Sequence, residues 1–573
     1  MRLAHASVLA VLLLAKAARG FVLPAVAASA LRGRTRAAPL SLVMNKALQR
    51  PGHASADAKS VGIIGGGIAG LVCAKRLKEL GLSPTVFDTG KREVGGRVSS
   101  RLLQVPSKAS KGTVTVKVDH STQFFTATDE RFAALVTSLR AQGAVREWTG
   151  PVGTLQDGAF QPLGDAERKL WVGCGGIDAV PKALAKDLRT VLNCWVAVVE
   201  RQEGSGKWRL FRDNARKQRL SDERGQDFDY LVVAHNGKCA ERLMRDAQVP
   251  TLHRLLKTKF ACTPPPAGLM QLSSLWVCTF VVEKSLGLPY EGVFIKGHPD
   301  LCWAADNTKK MAAAEKTGDL ESWTLISSRP YGTANKVPQE AVPPDVQERV
   351  AREMMRAFET SAGLPVNSIQ PVAQYVQLWG AGVPMNVLAG PGCVLDGDAA
   401  AGICGDWVEQ PCVEGAALSG IEMAEALAQH AAGKLKSIGI PSNYDRCMEP
   451  VATPACGAFP GLAVTDALPP QYSPRGGGAD RGGRGGGGGR GGLPGGGRVA
   501  SKSDFRSAAH AAKSSPTNRE EGADSAGGER GGAQGAGRAR RGGRGRVQSN
   551  WAVSLDIQHL LELCMLVCKK ANL

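Results

Sequence analysis

Residues 61–88 read Val61-Gly62-Ile63-Ile64-Gly65-Gly66-Gly67-Ile68-Ala69-Gly70-Leu71 and continue VCAKRLKELGLSPTVFD to Asp88. The apolar run Val61 to Ile64 predicts a short buried strand. It passes into Gly65-x-Gly67-x-x-Gly70, and then into a helix with Leu71, Ala74, Leu77 and Leu80 on one face. Gly81 stops that helix, Thr85 to Phe87 make a second strand, and Asp88 closes it. The order is strand, glycine turn, helix, strand, acid.

In such a turn Gly65 allows the tight bend, Gly67 lets backbone approach a pyrophosphate, and Gly70 lets helix and strand pack closely. The first helical residues, Ile68 and Ala69, offer free N–H groups at the positive end of the helix dipole. Asp88 lies about twenty residues past the glycines, where a carboxylate accepts both hydroxyls of an adenosine ribose. A glycine-rich turn in some other α/β protein would supply the glycines alone. The complete order points to dinucleotide binding.

Gly95-Gly96-Arg97 follows soon after Asp88 and brings a cation able to neutralise a diphosphate. With this doublet the chain resembles the flavoprotein amine oxidase superfamily. The resemblance implies FAD as the nucleotide and gives Gly96 and Arg97 a phosphate or flavin contact. Further on, Asp119-His120-Ser121-Thr122-Gln123-Phe124-Phe125-Thr126 resembles the "DHGAQYFT" segment of the renalase-like branch, with Ser121-Thr122 in place of Gly-Ala. If that backbone lies on the flavin ring, the added side-chain atoms narrow the site or alter substrate choice. Asp129 is placed to cap a helix through Phe132, Leu135, Val136 and Leu139. His120 is read as a hydrogen-bonded structural histidine rather than a base, because hydride removal from an amine or dihydropyridine need not use one.

Trp171 to Ile177 and a helix from Pro181 to Leu188 are similar to the same branch's "YVGxxGM…LPxALA" segment. Strands are expected at Val196–Glu200, Trp208–Phe211 and Tyr230–Ala234, and the resemblance gives Val196 backbone hydrogen bonds to adenine. Ala234-His235-Asn236-Gly237-Lys238 marks the exit from the nucleotide domain and looks like the plant and algal members. From about 246 to 384 nucleotide motifs are absent; strands at 275–281, 323–326 and 372–378 and a long helix at 346–358 predict a substrate domain. No catalytic acid or base stands out. Gln123 and Trp379 are the candidate flavin-facing side chains, Trp379 being equally readable as core.

Gly402-Ile403-Cys404-Gly405-Asp406-Trp407, then Glu414-Gly415-Ala416 and Ser419-Gly420, predict a buried strand, a short loop and a helix start. Asp406 can accept a ribityl hydroxyl, and the helix start at Glu414–Ala416 can stabilise negative charge on the flavin's pyrimidine edge. The resemblance gives Gly405, Asp406, Glu414, Gly415 and Ala416 the same roles. Some monoamine oxidases attach flavin to a C-terminal cysteine; the segment around Cys412 does not match that attachment, so non-covalent FAD is expected.

The fold expected is α/β: a Rossmann-like, glutathione-reductase-like FAD domain with a second α+β substrate domain. The nucleotide domain is discontinuous (58–106, 165–245 and 385–435), and the substrate domain takes 107–164 and 246–384. The net charge of +19 sits at the chain ends: residues 1–50 hold eight Lys/Arg and no acid, and 475–548 hold fifteen against six acids. It therefore says little about what the folded core binds. Residues 457–550, with RGG units at Arg481, Arg484, Arg490 and Arg541, lack the apolar content to fold and are read as a disordered tail. With few aromatics to stack on bases, weak RNA binding is the most that tail supports, and no specific nucleic acid is expected. Residues 551–573 are expected to hold a short amphipathic helix.

Arg2, the apolar run Val8 to Ala15 and Ala18-Arg19-Gly20 before Phe21 fit a secretory signal too short to remain as a membrane span. The Ala-, Ser- and Arg-rich residues 21–50 then look like a transit peptide, together resembling the bipartite plastid presequence of algae with secondary plastids; secretion is the alternative. Fourteen cysteines without a CxxC pair give neither a zinc site nor a disulfide framework, and no metal is expected. The reading is an FAD oxidoreductase taking hydride from a C–H next to nitrogen, in an amine or an isomeric dihydronicotinamide, with O₂ as acceptor. A plastid carotenoid- or isoprenoid-type oxidoreductase and a catalytically silent flavin- or RNA-binding protein are the alternatives. Oligomeric state is not legible.

Overall fold

The computed structural model describes residues 58–107, 112–163, 169–260, 268–312 and 319–451. The presequence, the RGG-rich tail and the C-terminal helix of the sequence reading lie outside them. Two large sheets organise the described residues, each built from strands far apart in sequence.

The first has six strands in the order Val394–Asp396, Ala401–Ile403, Tyr230–Val233, Ser60–Ile64, Ser83–Phe87, Arg189–Val191. All neighbours are parallel except the pair formed by Val394–Asp396 and Ala401–Ile403. Ser60–Ile64 and Tyr230–Val233 are buried along their whole length, which is why they read as unbroken apolar runs rather than alternating ones. On one face Val61, Ile63, Val86 and Val232 pack with Cys73, Leu77, Met423 and Leu427 of two helices, Ile68–Glu79 and Val413–Ala431. On the other, Ile64, Phe87, Leu231 and Val233 meet Trp208, Phe228, Leu243 and Leu252. A Cβ on Gly420 would stand 2.4 Å from the Ala69 carbonyl oxygen, so glycine there lets the two helices touch backbone to backbone. The strand Arg189–Val191 carried no sequence signal: with three residues it is too short to show a period.

The second sheet has eight strands, all within 152–162 and 258–384. Its centre is Met270–Val282, buried at all thirteen positions and flanked by Glu321–Ser327 and Ala373–Pro384. The helix Pro344–Ala362 lays Val350, Met354 and Phe358 on one face; Phe124 and Trp148 pack with Trp303 and Leu275 on the other. The hairpin of Ser100–Ser107 with Gly112–Asp119 carries the chain from the first sheet to the second. The chain is thus an α/β protein with a Rossmann-like domain and a second, sheet-based α+β domain. No described helix is long and apolar enough to cross a membrane.

Candidate dinucleotide site

The strand Ser60–Ile64 delivers the chain into the glycine turn, where each glycine meets a different neighbour. Gly65 has φ +114°, and a Cβ there would approach the Ala234 carbonyl oxygen at 2.9 Å. A Cβ on Gly70 would sit 2.0 Å from the Gly65 carbonyl oxygen. A Cβ on Gly67 would meet nothing within 4 Å. Protein backbone therefore demands glycine at 65 and 70, while at 67 the space in front is open. The helix beginning at Ile68 has no side-chain cap, so its first N–H groups are left for another acceptor.

Two adjoining cavities lie against this turn. The larger, about 370 Å³, runs from Asp88 and Val196 past Gly67 and Arg97 to Gln339 and Trp379. The smaller, about 70 Å³, is lined by Ile68, Ala69, Arg97, Asp406, Trp407 and Ala416 among others. Gly67, Arg97, His235 and Asn236 line both. Asp88, Gly67, Arg97, Val196 and Asp406 are thus brought to one cleft from five segments. Asp88 also holds the turn itself: one carboxylate oxygen accepts the Gly66 N–H and the other the Gly90 N–H, both at 2.7 Å. Each oxygen keeps a second lone-pair site for a ligand hydroxyl.

The glycine doublet docks on the turn through a 2.8 Å hydrogen bond from Gly95 N–H to the Gly66 carbonyl. This aims Arg97 across the cleft, where its guanidinium makes two 2.7 Å bonds to the Asp406 carboxylate and one of 2.9 Å to the Gly382 carbonyl. Burial works against the charge on Arg97, but Asp406 outweighs it and moves the guanidinium pKa upward. Gly405 reaches this position because its N–H is taken by the Ser419 hydroxyl at 2.9 Å. Ser419 and Gly420 thereby have separate tasks, one fixing the Gly-Asp turn and one the helix contact.

Glu414 and Gly415 do not line either cavity. The Glu414 carboxylate faces the other way and accepts the N–H groups of Thr128 and Asp129, each at 2.6 Å, and the Thr128 hydroxyl at 2.8 Å. Its acidity serves the approach of the helix Glu130–Ala141, which Asp129 caps as its sequence suggests. Gly415 gives its N–H to Cys412 Sγ, while Cys412 and Ala416 line the smaller cavity. Burial pushes the Cys412 thiol up to about 12, so it stays protonated at neutral pH.

Gln123, expected to face a flavin, is instead fully buried and turned into the scaffold. Its amide N–H groups go to the Asp119 and Ser121 carbonyls, and its oxygen accepts Lys310 Nζ at 2.9 Å. Both amide N–H groups of Gln123 are thereby used within the scaffold. Lys310 also pairs with Asp119 at 3.0 Å, both side chains being 1% exposed. Nothing in the sequence around Lys310 announces this buried pair. Trp379 does wall the larger cavity, with its indole N–H bound to the His120 carbonyl and its ring stacked 5.7 Å from the His120 ring. Burial, aided by the nearby Arg101 charge, pushes His120 down to about 3, so the imidazole is neutral in the working range. The hydroxyls that distinguish Ser121-Thr122 bond to the Ser99 and Arg97 carbonyls at 3.3 and 2.8 Å, pinning the segment that carries Arg97.

Sequence reasoning passed over Trp195, an indole 45% exposed beside Val196 in the larger cavity, and His235 and Asn236, read only as a domain exit. No described group of His, Cys, Asp or Glu side chains is arranged to hold a metal ion.

Residues 63–139 match the model of the NAD(P)-binding Rossmann-like domain family. The fold is similar to that of cyclohexylamine oxidase from Brevibacterium oxydans (13% identity, 65% of this chain and 100% of that one, TM-score 0.44). It is also similar to reduced UDP-galactopyranose mutase (10% identity, 68% and 96%, TM-score 0.45) and to a redesigned putrescine oxidase (13% identity, 64% and 98%, TM-score 0.42).

Proposed function

We propose that the chain is an FAD-dependent oxidoreductase of the renalase-like branch of the amine oxidase superfamily, acting in a plastid on a C–H next to nitrogen in an amine or an isomeric dihydronicotinamide. The observation that carries the reading is the open space before Gly67, bounded by uncapped helix N–H groups and by Arg97. A diphosphate satisfies all three at once. Asp88 and Val196 at one end of the cleft suit an adenosine, and Asp406 at the other suits a polyol hydroxyl. Bound FAD would supply the hydride acceptor, with O₂ as the final oxidant. The names of the similar oxidases agree with this class.

The protein's own contribution is placement. Trp379 walls the larger cavity, and the His120 ring stacked on it is neutral and lines neither cavity. The reading therefore asks the side chains to orient two reactants and exclude water, not to move a proton.

The test is the visible spectrum of the purified protein, before and after anaerobic addition of partly isomerised NADH. A flavin spectrum that bleaches and returns with air is the expected result. Flavin that bleaches only with amines moves the substrate to that class. A folded, colourless protein that takes up no added FAD overturns the proposal.

A further inference from the structure

Two side chains of the cleft hold a buried donor with no partner among the described residues: Asn236 at Nδ2 and Trp407 at Nε1. Trp407 is 1% exposed, so bulk solvent does not reach its indole N–H. An unmet buried donor is costly, and an indole nitrogen can only donate. Both side chains line the dinucleotide cleft, and they do so at different places. Asn236 stands on the wall common to both cavities, with Gly67 and Arg97, while Trp407 lines only the smaller one, beside Asp406.

We propose that these donors are two further cofactor contacts: Asn236 donates to the diphosphate, and Trp407 to an acceptor atom on the half of the cofactor remote from adenine. The inference rests on the FAD reading above. It gives a task to the Ala234-His235-Asn236 segment, which leaves the strand Tyr230–Val233 directly beneath Gly65 and brings Asn236 to the same turn that receives the phosphates. It also gives Trp407 a reason to be tryptophan: its bulk fits the core beside Leu388 and Ile403, yet a phenylalanine would fill that role without a stranded N–H.

The test compares the binding of FAD and of ADP to the full chain freed of nucleotide, by calorimetry, for wild type, Asn236→Leu and Trp407→Phe. ADP carries the diphosphate but nothing beyond it. Asn236→Leu is expected to weaken both ligands by roughly tenfold or more, as befits a bond to a charged oxygen. Trp407→Phe is expected to weaken FAD about fivefold and leave ADP unchanged, so ADP affinity also certifies that the variant is folded. Asn236→Ala repeats the first arm should the leucine prevent folding, checked by thermal melts. Wild-type affinities in both variants, or an equal loss of FAD and ADP in Trp407→Phe, would overturn the inference. Wild-type protein that binds neither ligand sinks the FAD reading itself.

Discussion

Arg97 and Asp406, 309 positions apart in the chain, are joined by two parallel hydrogen bonds of 2.7 Å across the mouth of the nucleotide cleft. With its third bond to the Gly382 carbonyl, Arg97 ties the glycine doublet to the strand Ala373–Pro384 of the second sheet and to the turn that follows Ala401–Ile403 in the first. The partners are unequally shielded: 24% of the Arg97 side chain is exposed against 2% of Asp406. Arg97→Met therefore strands a buried carboxylate, at a cost of about 3–5 kcal/mol. Asp406→Asn leaves a neutral amide and an arginine that can reach water, for which about 1.5–3 kcal/mol is expected. Urea denaturation of the two single variants and the double variant measures this order. The double variant should lose clearly less than the sum of the two.

The glycine turn separates folding from binding at neighbouring positions. Gly70→Ala places a methyl 2.0 Å from the Gly65 carbonyl oxygen and must push strand and helix apart, so folding should fail or stability fall by several kcal/mol. Gly67→Ala meets nothing within 4 Å and should leave the melting temperature of the ligand-free protein within a degree or two, roughly the size of a tolerated surface change. Yet its methyl occupies the space assigned to the diphosphate, and FAD affinity should fall by at least about tenfold, since a clash of one methyl costs about 1–3 kcal/mol. Melting curves with and without FAD distinguish the two. A Gly67→Ala variant that binds FAD normally would remove the diphosphate from that space.

His120 sets an acid limit on stability. Its imidazole titrates near 6.5 when exposed but only at about 3 in the folded protein, where burial and then the Arg101 charge oppose protonation. Between those values the unfolded chain binds a proton that the folded chain refuses. Stability is thus intact above about pH 6.5 and falls as the pH drops toward 3, by up to about 1.4 kcal/mol per unit. His120→Phe keeps a ring against Trp379 and abolishes that slope. From pH 7 through 6 and 5 to 4 the urea midpoint of the variant should therefore rise steadily relative to that of wild type.

The legible features were those fixed by local backbone chemistry or long periodicity. Gly65, Gly67 and Gly70 announce the turn because only a residue without Cβ fits two of those places, and the helix Pro344–Ala362 announces itself through five turns of pattern. Asp406 was legible because a Gly-Asp at the end of a buried strand has few uses. Glu414 was legible only as part of a helix start; the task of its carboxylate depends on the Thr128–Asp129 backbone, 285 residues away. Gln123 misled for a similar reason. Its place in a motif says that the segment passes near the cleft, but residues 119–126 are buried without a break, so no pattern along them marks which side chains face the cavity, and Lys310 holds this one in the scaffold.

Lys310 provides the last prediction, because it separates scaffold from site. Its ammonium is buried with Asp119 and Gln123, and the indole of Trp148 lies 5.9 Å away. Burial lowers its pKa; the Asp119 charge resists that shift without cancelling it. Asp119 has other support, since its second oxygen accepts the Ser100 hydroxyl at 2.6 Å and the Ile177 N–H at 2.9 Å. Lys310→Met should therefore cost about 3–5 kcal/mol by leaving one buried carboxylate oxygen and the Gln123 carbonyl without a donor. Adding Asp119→Asn should return part of that loss, because an amide tolerates the site better than an unpaired charge. FAD affinity, measured at a temperature where the variant is folded, should stay within about twofold of wild type, because Lys310 lines neither cavity. A Lys310→Met protein of normal stability that had lost FAD binding would transfer this lysine from the scaffold to the site.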